Sequence, residues 1–129
     1  MSVRTCILLY VDEARLRQTI QDTLSATYQI YPASNLIQAS NLFEQEQIDV
    51  VLTEFRPVDV VEHTCTEFIS SVQARSSQVK PQILLVSSIP YLAELFTHIS
   101  PAATLRVPFS ADQLQQFITQ HLGTGPGEP

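Results

Sequence analysis

A single carboxylate closes the apolar run Val50-Val51-Leu52-Thr53-Glu54, and Phe55-Arg56-Pro57 follow it. Ligands of parallel α/β sheets bind outside the carboxyl ends of the strands, so a carboxylate ending a buried strand stands where it could act as nucleophile, base or metal ligand. Glu54 is therefore the first residue with chemistry to assign. Asp12 and Glu13 are the next, because they follow another apolar run, Thr5 to Tyr10. Mg²⁺ is commonly held by one or two carboxylates, which gives Asp12 with Glu54 the makings of a weak cation site and no more. The remaining reactive types form no constellation. Cys6 and Cys65 lack CxxC spacing, the three histidines, His63, His98 and His121, are scattered, and no Ser-His-Asp, Cys-His or paired-carboxylate arrangement appears. The expectation is a protein that is not an enzyme, with no resident cofactor, and with both cysteines acting as small buried hydrophobes.

The elements that must position these groups show in the periodicity. Short β-branched runs alternate with segments whose apolar residues recur every three or four positions, the pattern of βα units around a parallel sheet. Strands are predicted over Thr5–Tyr10, Tyr28–Ala33, Val50–Thr53, Gln82–Val86 and Thr104–Val107. Pro32 cannot donate to a ladder and places the second strand at an edge or ends it early. The third strand, apolar throughout, is predicted central and covered on both faces. The first helix should bury Ala14, Leu16, Ile20 and Leu24. The second, capped by Ser34 or Asn35 and running to about Gln45, should turn Leu36, Ile37, Leu42 and Phe43 inward. Further helices are predicted over His63–Arg75 with Phe68, Ile69 and Val72 buried, over Tyr91–Ile99, and over Ala111–Leu122, where Ser110 caps a stripe of Leu114, Phe117 and Ile118. The fold class is thus α/β, a flavodoxin-like (βα)₅ doubly wound sheet in the order 2-1-3-4-5. One domain over 1–122 is expected, with 123–129 a flexible tail.

Composition excludes several partners. With 129 residues, 44% hydrophobic and 16% charged, the chain suffices for one core, and no run nears the roughly 18 apolar residues of a membrane span. Thirteen acidic residues against seven basic ones leave a net charge of −6 without a basic cluster, which disfavours nucleic acid. The N-terminus carries no signal-peptide pattern, so a cytoplasmic location is expected.

The spacing of these motifs resembles the receiver domains of response regulators, the CheY-like family, along nearly the whole chain. The resemblance implies a phosphoacceptor at position 54, where the family has Asp and this chain has Glu54. It also implies an acidic pair after the first strand that helps hold Mg²⁺; that pair falls on Val11 and Asp12, with Arg17 in its usual helical place, whereas a one-residue slip would bring Asp12 and Glu13 into the pair but shift Arg17 and the apolar stripe. The switch hydroxyl falls on Ser87, the family's lysine on Val107 before Pro108, and its switch aromatic on Thr104. Arg106 adjoins the missing lysine, but neighbouring strand residues point to opposite faces and it does not replace it.

Phosphoryl transfer depends on positioning and charge stabilisation, and acceptor, one metal ligand and cation have all changed. What the resemblance implies is therefore a pseudo-receiver: a phosphorylation-independent protein–protein interaction module in two-component signalling or regulation. Glu54 reads either as a permanent imitation of a phosphorylated Asp or, more plainly, as a polar residue kept at a solvent-facing strand end. Partners implied are a histidine kinase or a transcription regulator, or a second copy in a homodimer, through the face formed by the 91–99 helix, the fifth strand and the last helix. Tyr91, Leu92, Leu95, Phe96, Arg106 and Phe109 are candidates on that face, although apolar residues at helical spacing are more often core. Two alternatives stay open: a receiver still phosphorylated or metal-bound at an atypical site, and a small flavodoxin-like cofactor binder. The second lacks the glycine-rich turn a flavin phosphate needs after the first strand, since all three glycines lie in the tail.

Overall fold

The computed structural model describes residues 4–56, 64–75, 81–88 and 103–122. In chain order the elements are β1 (Cys6–Tyr10), α1 (Ala14–Leu24), β2 (Gln29–Ala33), α2 (Leu36–Gln45), β3 (Val50–Glu54), α3 (Thr64–Arg75), β4 (Gln82–Ser87), β5 (Ala103–Arg106) and α4 (Ala111–His121). The five strands form one sheet in the order β2-β1-β3-β4-β5, and every pair is parallel. This is the flavodoxin-like topology the alternating periods predict. The predicted helix at 91–99, with Pro57, His63 and His98, and the tail at 123–129 lie outside the described residues.

Strand alternation divides the core into two layers. Leu8, Val51, Ile83 and Leu85 pack with Ala39 of α2 and Phe68, Ile69 and Val72 of α3, while Ile7, Leu9, Val50, Leu52, Leu84 and Val86 pack under Ile20 and Leu24 of α1 and Leu114, Phe117 and Ile118 of α4. Successive residues of β3 thus enter opposite layers, and Val50 to Leu52 are fully buried.

Pro32 sits on the edge strand, as expected, but it does not shorten it: Leu9 pairs with Pro32 and Tyr10 with Ala33. β5 and β4 each differ from expectation by one residue, β5 lying earlier and β4 extending through Ser87. Three inward assignments are corrected. Ala14 is exposed in the first turn of α1, where Glu13 rather than an apolar residue determines how the helix starts. Leu36 and Ile37 are 39% and 72% exposed. The buried face of α2 instead follows Ala39, Leu42 and Phe43 at i, i+3 and i+4, which turns Ile37 about 200° away at 100° per residue. Asn35, not Ser34, caps this helix, accepting from the Gln38 amide at 2.9 Å while the Gln38 side chain reaches back to Ser34.

Ser110 forms the expected cap of α4 with Gln113 closing a reciprocal capping box. His121 stacks edge-on against Phe117 with ring centroids 5.0 Å apart, a packing role. Cys65 is buried, as expected of a small hydrophobe; Cys6 is only half-buried.

The exposed residues of α2 and the fully buried centre of β3 should respond very unequally to truncation. Urea denaturation of Leu52→Ala is expected to show a loss of about 2–5 kcal/mol, and Ile37→Ala a change within about 0.5 kcal/mol.

Candidate functional site

The carboxyl ends of β1, β3 and β4, with the residue after β5, assemble the predicted residues along one edge of the sheet. Backbone bonds continue past the ladders there: Val11 N–H donates to the Ala33 carbonyl, Phe55 N–H to Val86 and Val107 N–H to Ser87, at 3.2, 3.0 and 2.9 Å. Val11, Glu54, Ser87 and Val107 thus lie at the carboxyl ends of four consecutive strands of the sheet, β1, β3, β4 and β5. Thr104 stands apart, paired with Leu85 further down the sheet and exposed. Arg106 is exposed on the same side of β5, whereas Leu105 and Val107 pack into the α1/α4 layer. The alternation that denies Arg106 the lysine's place is thus observed.

Val11 is 1% exposed and belongs to the apolar layer that also receives Val107. Asp12 and Glu13, the next two residues, are both exposed. Glu13 has another task. Its carboxylate caps α1, accepting from the amides of Leu16 at 2.7 Å and Arg15 at 3.1 Å, and these bonds hold it below the ordinary value of 4.5. Arg17 turns back over the loop and donates through Nη1 to the carbonyls of Val11 at 2.7 Å and Asp12 at 3.1 Å. The β1–α1 loop is therefore fixed by its own helix.

Asp12 is paired with Arg56. Nη1 of the guanidinium lies 2.9 Å from Oδ2, with side chains 32% and 59% exposed respectively for Arg56 and Asp12. Sequence reasoning did not assign Arg56. The available signal was its position two residues beyond Glu54, at the strand end facing the β1–α1 loop. Together Tyr10, Asp12, Thr53, Glu54, Arg56 and Cys65 line a cleft with about 10 Å³ of free volume, room for about one water. Tyr10 also packs edge-on against Phe68 at 5.1 Å, and the Thr53 hydroxyl donates to the Tyr10 carbonyl at 2.7 Å.

Ser87 is 1% exposed, and its hydroxyl donates to the Phe55 carbonyl at 2.6 Å. It ties the end of β4 to the end of β3. Phe109, a docking candidate, is half-buried against the α1/α4 layer. Tyr91, Leu92, Leu95 and Phe96 lie outside the described residues. At the opposite edge of the sheet, Asp49 accepts from the Cys6 amide at 2.8 Å, and burial together with the Asp49 carboxylate raises the Cys6 thiol from its ordinary 9.0. That thiol is a poor nucleophile.

Comparison with solved structures bears on this arrangement. The chemotaxis response regulator CheY4 of Vibrio cholerae superposes with a TM-score of 0.79 at 20% identity, over 92% of this chain and 98% of that one. The fold is that of a receiver domain. A response regulator from Thermotoga maritima matches with a TM-score of 0.76 at 12% identity, covering 92% and 97% of the two chains. The signal receiver domain of an HD domain-containing protein from Pseudomonas fluorescens matches at 0.75 and 20% identity, covering 93% and 95%. No family model and no curated protein matches the sequence.

On this receiver fold, the groups around the β1–α1 loop that could ligate a cation are engaged within the chain. The Asp12 carboxylate is held by a guanidinium, the Glu13 carboxylate by helix amides, and Val11 offers no oxygen from its side chain. Among the described residues no group of three His, Cys, Asp or Glu is placed to hold a metal.

Two measurements check this account. Ser87→Ala, which removes the donor to a buried carbonyl, should lower stability by about 1–3 kcal/mol in denaturant titrations. Glu13 is lowered in the folded state, so its contribution is present above the unfolded value and lost as pH falls through the folded one. The stability difference between wild type and Glu13→Gln should therefore be largest above pH 4.5 and narrow on acidification below it.

Proposed function

We propose that this chain is a pseudo-receiver, a recognition module that docks on a protein partner in signal transduction without phosphotransfer at Glu54. The observation that carries the reading is that Val11 and Val107, just beyond the ends of β1 and β5 at the same carboxyl edge of the sheet as Glu54, pack into one apolar layer. Transfer of a phosphoryl group to a carboxylate requires compensation of the incoming negative charge by a metal and a cation. At these two strand ends the chain supplies isopropyl groups instead.

The other polar groups nearby are committed elsewhere. Asp12 is paired with Arg56, and Ser87 donates to Phe55. What the described residues offer a partner is surface, with Arg106 exposed on β5, for a kinase, a transcription regulator or a second copy of the chain.

Incubation with acetyl phosphate and Mg²⁺, followed by intact-mass analysis, tests the reading. The expected mass is that of the unmodified chain. A stoichiometric phosphate adduct mapped to Glu54 would overturn it.

A further inference from the structure

The cleft at the end of β3 holds two carboxylates, Asp12 and Glu54, and one guanidinium, Arg56. Asp12 Oδ2 accepts from Arg56 Nη1 at 2.9 Å, and the Asp12 backbone carbonyl accepts from Arg17 Nη1 at 3.1 Å. Both the position of the carboxylate and its counter-charge are therefore supplied by the chain. We propose that the Arg56 guanidinium is the resident cation of this cleft, taking the place at Asp12 that a divalent ion would need, so that the cleft accepts Mg²⁺ or Mn²⁺ only when Arg56 is removed.

Charge, coordination and space support the same conclusion. A divalent ion brought to Asp12 must displace the guanidinium and then sit beside its positive charge, which repels it. The guanidinium is tethered two residues from Glu54, so it competes as an intramolecular partner at an effective concentration of order millimolar or above. Mg²⁺ demands near-octahedral oxygen ligation at about 2.0–2.1 Å and keeps several of its waters. The cleft has free volume for about one water, and among the described residues Asp12 and Glu54 are the two carboxylate side chains that line it. Glu13, next in sequence, is turned away to cap α1. Arg56 answers a geometric need that neither Val11 nor Val107 meets.

This proposal concerns the cation of the cleft alone. It neither requires the absence of phosphotransfer nor depends on any partner, and its test contains no phosphodonor.

The probe is Mn²⁺, titrated by calorimetry and by the electron paramagnetic resonance signal of the free ion, against wild type, Arg56→Gln and the double variant Asp12→Asn/Arg56→Gln. Wild type is expected to show no saturable binding in the low millimolar range. Arg56→Gln should bind at least about tenfold tighter, the scale set by losing one ion pair and one like-charge repulsion. The double variant should return to the wild-type curve. Paramagnetic broadening of amide resonances in wild type provides a check that needs no variant to fold: residues 11–13 and 53–56 should not broaden selectively. Saturable Mn²⁺ binding by wild type with broadening centred on Asp12 and Glu54 would overturn the proposal. So would an Arg56→Gln variant that binds no tighter than wild type.

Discussion

Burial of β3 on both faces is the constraint from which the rest of the structure follows. A parallel strand with neighbours on either side and helices above and below has no solvent-facing side chain until it ends. Val50, Val51 and Leu52 meet that condition, with β1 and β4 hydrogen-bonded at their flanks and an apolar layer on each face. The first carboxylate the strand carries, Glu54, can be accommodated only at the carboxyl edge. The same rule sends Val11, Ser87 and Val107 to that edge from neighbouring strands. Position is thus dictated by the sheet, whatever chemistry the side chains bring.

The chemistry at the edge is one of internal neutralisation. Asp12 meets Arg56, Glu13 meets the amides of α1, Ser87 meets a carbonyl of Phe55, and Arg17 meets the carbonyls of the β1–α1 loop. The Asp12–Arg56 and Ser87–Phe55 bonds join one loop or strand end to another, while those of Glu13 and Arg17 fix the β1–α1 loop to its own helix. Individually they are weak; an ion pair as exposed as Asp12–Arg56 contributes at most about 1 kcal/mol. Collectively they turn a row of polar groups into a latticework that keeps three strand ends in register.

The fold was legible because periodicity reports burial. Runs such as Ile83–Val86 and the i, i+3, i+4 stripe of α4 read directly as strand and helix, and alternation of the two implies the doubly wound sheet. Where apolar residues exceeded what one face can hold, the reading failed: Leu36 and Ile37 looked like core, but Ala39 determines which side of α2 faces the sheet. Side chains with two plausible roles were equally opaque. Glu13 could be ligand or cap, and only the path of the chain into α1 decides for the cap. The Asp12–Arg56 pair spans 44 positions, and no local pattern encodes a contact between two loops on neighbouring strands.

The bond between Ser87 and Phe55 has a consequence for how fast this molecule can change shape. A side-chain hydroxyl has one proton, and here it is given to a backbone carbonyl in a site sealed from water. Exposed rotamers turn over in picoseconds to nanoseconds, but releasing this one means exposing or re-pairing a buried carbonyl, which ties it to movement of the β3 and β4 ends themselves. Communication across the edge of the sheet is thereby moved from local flips to collective backbone motion on the microsecond-to-millisecond scale. The edge therefore moves slowly and as a unit.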